Sequence, residues 1–304
     1  MIQANPEMKS LKDKYKSLPS RIFTSVIVLS ILGVAIFLDI SIFSYPWSIS
    51  ILAILISGLV VRELFMMAIE CHHSPFIKWG IIMTSLLVAC VPLGQISQMK
   101  KLPFDAQDLQ IMVLIISALG CFWWQGQKST TDKIFESVTT TLGGILYIGL
   151  LGSSLLYIAW FNQSLPKNIT GIHLLGLTII TIKMTDIGAF MVGSAIGKHK
   201  WIPKISPGKS IEGLLGGMVI STGITWLINQ YVWSIFDAHW KTVLFGIVLS
   251  FSGQLADLVE SMFKRASKLK DSGNILPGFG GIFDLTDSLI AAAPISYFLL
   301  YILL

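Results

Sequence analysis

Nine long apolar segments dominate the sequence and constrain what the chain can fold into. A bilayer core is about 30 Å thick, and a helix needs about 20 residues to cross it. Every backbone donor in hydrocarbon needs an internal partner, and these segments exceed the roughly 9–11 residues of a membrane β-strand. The sequence therefore predicts an all-α, polytopic membrane bundle of about nine transmembrane helices. The segments cover roughly residues 22–38, 47–67, 79–94, 110–125, 137–160, 171–196, 211–234, 240–261 and 283–304.

Composition supports this class and excludes others. Hydrophobic residues make up 53% of the chain and charged residues 13%, whereas soluble domains carry about 25% charged residues. A soluble globule, a disordered tail and a disulfide-stapled module are therefore excluded. The three cysteines, Cys71, Cys90 and Cys121, lack CxxC spacing, so we expect packing residues rather than a zinc or redox site.

Basic residues indicate how the bundle is oriented. Residues 1–20 are polar and lysine-rich, and we expect a cytoplasmic N-terminal segment followed by one transmembrane domain over 21–304. With the N-terminus inside, 16 cations face the cytoplasm, and the opposite loops hold 4, namely Lys100, Lys101, Lys167 and Lys241. This bias predicts an integral protein of a bacterial-type cytoplasmic (inner) membrane with its C-terminus outside. The net charge of +5 then matches anionic headgroups, and no nucleic acid is expected.

Acidic residues within apolar segments point to a functional site. A carboxylate facing lipid at mid-span costs about 2.5–3.5 kcal/mol, so these residues must face a polar cavity, cations or each other. A structural ion pair is the alternative for any one of them, and Glu63 beside Arg62 is an example. The acidic residues in or beside the spans are Glu63, Asp186, Glu212, Asp257, Glu260, Asp284 and Asp287.

The last third of the chain concentrates these groups, with its catalytic half expected at about 180–290. Asp257, Glu260, Ser261 and Lys264 follow i, i+3, i+4, i+7 spacing and share one helical face. A glycine-rich basic loop then leads to a second acidic helix start. Carboxylates with neighbouring cations suit a polyphosphate held through Mg²⁺, whereas the alternative is a solvated basic loop with counter-ions.

A second polar cluster lies between residues 183 and 213. Gly193 and Gly197 form a GxxxG spacing, which indicates helix packing. The segment SPGKSIEG imitates the end of a P-loop, but Pro203 replaces the first glycine and no strand is expected before it. A nucleotide hydrolase is therefore excluded, although a basic loop leading into a helix remains a good anion site.

Two blocks carry a family resemblance. SMFKRASKLKDSGNILPGFGGIFDLTDS resembles the signature of the phosphatidate cytidylyltransferase (CDP-diacylglycerol synthase) family, S-x-x-K-R-x4-K-D-x-G/S/A, P-G-H-G-G and D-R-x-D. TDIGAFMVGSAIGKHKWIPKISPGKSIEG is similar to that family's A-D-T-G-A-Y…G-K-H-K…S-P-G-K-T-x-E-G block. Residues 1–140 match only as generic helices. Phe279 and Leu285 depart from the pattern, standing where the family has histidine and arginine.

The resemblance implies transfer of the cytidylyl group from CTP to phosphatidate, giving CDP-diacylglycerol and pyrophosphate in phospholipid biosynthesis. It implies Mg²⁺ on Asp257 and Asp284, with Asp287 and Glu260 either as additional ligands or as neighbours that contact the ligands. It implies catalytic roles for Asp257, Lys264, Arg265, Asp284 and Asp287. It implies substrate-binding roles for Asp186, Lys198, Ser206, Lys209, Glu212, Ser261, Lys270, Asp271, Gly280 and Gly281.

Other functions are weighed against this one. A CDP-alcohol phosphotransferase is excluded in its usual form because no acidic residue follows Asp287. A transporter or channel fits intramembrane carboxylates, but the acidic clusters occupy only the second half. A non-catalytic homologue is a third hypothesis, motivated by Phe279 and Leu285. The oligomeric state is left open, and a homodimer is compatible with the sequence.

Overall fold

The computed structural model describes residues 6–127, 133–161, 165–166 and 168–304. Within these residues, nine helices are long and apolar enough to cross a membrane, so the predicted all-α membrane bundle is confirmed. Residues 171–196 were expected as a span, and α7 has those bounds. The helices are α1 (Pro6–Leu38), α2 (Trp47–Glu70), α3 (Ile77–Met99), α4 (Ala106–Gly126), α5 (Ile134–Gly144), α6 (Leu151–Ala159), α7 (Gly171–Ile196), α8 (Ile211–Ile228), α9 (His239–Ala266) and α10 (Phe283–Leu303).

Wider helical turns and one small sheet complete the architecture. π-helical turns extend α1 over Asp39–Phe43, join α5 to α6 over Ile145–Leu150 and extend α8 over Asn229–Trp233. The α5 and α6 helices therefore form one span. Strands β1 (Lys200–Ile202) and β2 (Ser206–Ser210) pair antiparallel, with Lys200 opposite Ser210.

Several helices extend beyond the predicted segments, and the extensions of α9 and α1 place charged residues on a helix. The α9 helix continues to Ala266, which brings Lys264 and Arg265 into its last turn, where cations interact favourably with the helix dipole. The α1 helix begins at Pro6, so the described part of the polar N-terminal segment is helical and continuous with the first span. Of the cations used to predict orientation, Lys128 and Lys167 lie outside the described residues.

Small residues let α7 and α8 approach closely. An added Cβ on Gly188 would lie 3.1 Å from Ile220 Cβ and 3.2 Å from Gly217 Cα. Gly193 of the predicted packing motif lies against Gly213, at 3.5 Å by the same measure. Because lipid tails are as apolar as the helices, such close packing holds membrane helices together. A hydroxyl pair adds to it, since Thr181 and Thr225 are hydrogen-bonded at 2.8 Å, and a second pair at 2.8 Å, Thr178 with Ser296, joins α7 to α10.

The α1 helix is the least buried of the described spans. Where the chain passes from α1 to α2, the buried carboxylate of Asp39 contacts the start of α2. The most apolar part of the α1 span is 11% buried, against 56% for α9. The Asp39 side chain is 0% exposed and accepts hydrogen bonds from the backbone N–H groups of Ser48 (2.7 Å) and Ile49 (3.0 Å). It therefore caps the first turn of α2, whose own first N–H groups lack helical partners.

Candidate active site

Three carboxylates form the centre of the candidate site. Asp257 and Glu260 lie on one face of α9, as the i, i+3 spacing predicts, and Asp287 faces them from α10. One carboxylate oxygen from each residue lies within 4.8 Å of the other two. Glu260 is 1% exposed and Asp287 4%, whereas the Asp257 side chain is 34% exposed, so the acidic group is buried on one side and open to the surroundings at Asp257.

Three lysines surround the acidic group, and each connects two elements. Lys264 Nζ lies 2.8 Å from Glu260 Oε2 and 3.0 Å from Asp284 Oδ1, which joins α9 to α10. Lys209 Nζ lies 2.6 Å from Asp257 Oδ2, which joins β2 to α9. Opposite charges at these distances offset the repulsion that clustered carboxylates would otherwise have.

Lys183 provides the third connection, from α7 to α10. Its Nζ donates hydrogen bonds to the carbonyl oxygen of Leu285 (2.9 Å) and to Ser288 Oγ (3.2 Å). It also lies 3.9 Å from Asp186 Oδ2, one turn along α7. Leu285 occupies the position where the family pattern has arginine, and Lys183 contacts its backbone, so a cation comes to this part of α10 from another helix.

Asp284 is held by the loop that precedes α10. Its Oδ2 accepts from the backbone N–H groups of Gly281 (2.7 Å) and Ser272 (2.8 Å). The geometry therefore groups Asp257 with Glu260 and Asp287 as potential metal ligands. The predicted metal pair of Asp257 with Asp284 stays a prediction.

The loop between α9 and α10 depends on glycine. Gly280 has φ +103°, and a Cβ there would lie 2.6 Å from Asp284 Oδ2. Only glycine adopts this conformation without steric cost and leaves that space open. Beside it lies a cavity of about 300 Å³, whose lining includes Lys270, Asp271 and Phe279.

The connection from α7 to α8 is organised by Glu212. Its carboxylate accepts from the backbone N–H groups of Lys198 (3.1 Å) and His199 (3.2 Å) and lies 2.6 Å from His199 Nδ1. These contacts hold the loop, whereas the predicted role of Glu212 and Lys198 in substrate binding stays a prediction. Arg265 joins the same region, since its Nε donates to the carbonyl oxygen of Ile205 at 3.2 Å.

One expectation about this connection is wrong. No strand was expected before the P-loop-like segment, yet β1 precedes it and β2 begins at Ser206. Gly208 and Lys209 themselves belong to β2, so this segment is extended instead of wrapping around a phosphate as a P-loop does. Ser210 accepts a hydrogen bond from the Gly213 N–H at 3.1 Å and caps α8.

The sequence interpretation missed Glu63 as part of this region. The proposed pairing with Arg62 is replaced by contacts to the start of α10 and to Ser272. The signal available in the sequence was an acidic residue in an apolar span, but its partners lie more than 200 positions away. The predicted binding residue Ser261 follows Glu260 on α9 and is partly exposed.

The acidic group fits a divalent cation by its chemistry. Mg²⁺ prefers hard carboxylate oxygens, which all three residues offer. Glu260 Oε1 is buried and has no hydrogen-bond partner among the described residues, although Lys264 engages the other oxygen. A buried, unpaired carboxylate oxygen is costly, and a bound cation would satisfy it.

Carboxylates and lysines gathered at one end of a membrane bundle suit an integral membrane enzyme of phosphate chemistry, and sequence similarity identifies its class as a nucleotidyltransferase. Comparison with known sequences gives the family: the Cytidylyltransferase family pattern matches residues 20–303. The chain belongs to that family.

Individual relatives agree with the family match. A phosphatidate cytidylyltransferase of Staphylococcus saprophyticus is 44% identical over 207 residues, which cover 66% of this chain and 74% of the relative. That of Bacillus subtilis is 39% identical over 197 residues, covering 65% and 71%. That of Staphylococcus epidermidis is 44% identical over 133 residues, and the match spans half of that relative's length.

Proposed function

We propose that this chain catalyses cytidylyl transfer from CTP to phosphatidate at the acidic group between α9 and α10. The family match and the names of the relatives support the activity. The location is supported by one observation: Asp257, Glu260 and Asp287 lie together with three lysines at one end of the bundle. The products are CDP-diacylglycerol and pyrophosphate.

The reaction exchanges one phosphorus–oxygen bond for another. An oxygen of the phosphatidate phosphate forms a bond to the α-phosphorus of CTP, and the bond from that phosphorus to the β-phosphate oxygen breaks. Pyrophosphate leaves with the electron pair. A phosphate monoester has a second pKa near 6 and is largely dianionic at pH 7, so positioning and charge stabilisation dominate over proton removal.

Asp257, Glu260 and Asp287 are the residues that would hold Mg²⁺. When bound, the ion neutralises negative charge that develops on phosphate oxygens. The side chains of Lys209 and Lys264 offset the repulsion between the carboxylates and present cations to the same space. Their ammonium groups then exchange a carboxylate contact for a phosphate contact when CTP enters.

The setting we propose is the cytoplasmic face of a bacterial inner membrane. CTP is water-soluble and phosphatidate is a membrane lipid, so the site must meet both at the membrane surface. The connections that carry Lys198, Lys209 and Lys270 lie at the same end of the bundle as the acidic group. Their charge is the sign that cytoplasmic loops favour.

A labelling experiment tests the proposal. The purified chain in detergent is given phosphatidate, Mg²⁺ and CTP labelled at either the α- or the γ-phosphate. The α-label should appear in a lipid product and the γ-label in pyrophosphate, with both lost in the Asp257→Asn variant. Absence of labelled lipid from the wild-type chain would reject the enzyme and favour a transporter or a non-catalytic homologue.

A further inference from the structure

Glu63 reaches from α2 to the start of α10. Its side chain is 2% exposed. Oε1 accepts a hydrogen bond from the Ile282 N–H at 3.0 Å, and Oε2 accepts from the Phe283 N–H at 2.8 Å. One buried carboxylate thus engages two successive backbone donors of a helix that is distant in the sequence.

These contacts make Glu63 a cap supplied by another helix. The first N–H groups of a helix have no partner within it, and negative charge near them is favourable. Ile282 occupies the N-cap position of α10 and makes no side-chain capping hydrogen bond. Because α10 begins with an apolar residue that offers no acceptor, Glu63 supplies the acceptor.

The cap is connected to the acidic residues of the site. Ser272 Oγ lies 3.0 Å from Glu63 Oε2 and 3.0 Å from Asp284 Oδ2. A Cβ added to Gly281 would lie within 2.3 Å of both Ser272 Oγ and Glu63 Oε2. The loop therefore closes tightly around both carboxylates, and Asp287 follows Asp284 by three residues, a little less than one helical turn.

We infer that Glu63 is a positioning residue for the transfer reaction. By fixing the first turn of α10, it sets where Asp284 and Asp287 stand relative to Asp257 on α9. This inference rests on the proposed function. Its competitor is a purely structural role, in which losing the cap lowers stability and leaves the turnover of the folded protein unchanged.

A second buried carboxylate allows the purely structural role to be tested separately. Asp39 is also a buried carboxylate that caps a helix from a neighbouring element, since it accepts from two backbone N–H groups of α2. It lies at the opposite end of α2 from Glu63. Glu63→Gln and Asp39→Asn therefore make the same chemical change in the same kind of cap, once beside the site and once remote from it.

The experiment compares turnover and amide hydrogen exchange in these two variants. Turnover is measured per folded protein with saturating CTP and phosphatidate, and we expect Glu63→Gln to lower kcat at least about tenfold. Exchange is measured without CTP or metal, and the peptide covering residues 276–290 should lose protection in Glu63→Gln alone. Asp39→Asn should lower thermal stability comparably while kcat stays within about twofold of wild type.

Two results would overturn the inference. The first is wild-type kcat in folded Glu63→Gln, whether or not its exchange changes. The second is an equal fall of kcat in Glu63→Gln and Asp39→Asn. If Glu63→Gln does not fold, Glu63→Asp keeps the charge, withdraws the carboxylate by one methylene and is judged by the same criteria. Failure of the proposed function is distinguishable, because the wild-type chain itself would then form no labelled lipid.

Discussion

Replacing Lys183 by methionine removes the cation that α7 extends to the first turns of α10. The change keeps a long apolar stem but deletes both hydrogen bonds of Nζ, at 2.9 Å to the Leu285 carbonyl and 3.2 Å to Ser288 Oγ. It also leaves Asp186 without its ion pair. We expect lower activity because α10 loses this connection and the acidic group loses a neighbouring positive charge.

The size of the effect follows from these contacts. A hydrogen bond to a charged group contributes about 1.5–3 kcal/mol. The Lys183 side chain is 33% exposed, and the surroundings screen part of that energy, so the lower end applies. About 1.4 kcal/mol corresponds to a factor of ten, so losing one of the two bonds corresponds to about tenfold and losing both to about a hundredfold, and we expect the fall in kcat/KM to lie between these values.

The assay is CTP-dependent formation of labelled lipid by purified variants, and the design includes a rescue. Leu285→Arg, made together with Lys183→Met, returns a cation to α10 and should recover activity to within about threefold of wild type. Leu285→Arg alone places two cations together and should lower activity. Lys241→Met is the control, since Lys241 lies at the other end of α9 from the acidic group and pairs at 2.7 Å with Asp237, whose side chain is 75% exposed, so that the pair contributes little.

Two results would refute this reasoning. One is wild-type kcat/KM in Lys183→Met. The other is a loss of activity in Lys183→Met that Leu285→Arg leaves unchanged although the double variant is folded.

Further predictions concern the metal, the orientation and the second departure from the family pattern. Asp257→Asn and Asp287→Asn should each lower turnover by at least about a hundredfold with the protein still inserted, because each removes charge from the acidic group. Chelation of divalent cations should abolish labelled lipid formation and Mg²⁺ should restore it, whereas full activity in the chelator would exclude the metal. Cysteines replacing Ser206 and Asn274, in a chain lacking the three native cysteines, should be blocked only by reagents that enter the cytoplasm; labelling of both from outside intact cells would reverse the orientation. Phe279→His should change kcat by less than about threefold, since Phe279 borders the loop cavity instead of contacting the acidic group; an increase of tenfold or more would show that the native chain lacks a needed donor.

The fold was predictable because the bilayer imposes a simple rule on sequence. A span must be apolar, helical and about 20 residues long, so segment length alone identified the spans. The face shared by Asp257 and Glu260 was also predictable, because helical periodicity is local.

Contacts between distant helices were not predictable in the same way. Lys183 meets Leu285 across 102 positions, and Glu63 meets Ile282 across 219. A single sequence shows that each charge needs a partner but not which helix provides it. The resemblance implies Asp257 and Asp284 as metal ligands, which stays a prediction, and it names Asp287 and Glu260 only as possible additions; packing of α10 against α9 brings Asp287 close to Asp257 and Glu260.

The cap on α10 also has a consequence for how the bundle is assembled. Chains are synthesised from the N-terminus, so Glu63 is made 219 residues before the Ile282 amide that it accepts. A carboxylate at membrane depth is costly without partners, and both backbone donors of Glu63 belong to the start of the last helix. The Glu63 carboxylate in the second span therefore lacks these two hydrogen-bond donors through most of synthesis. It gains them when the ninth span inserts.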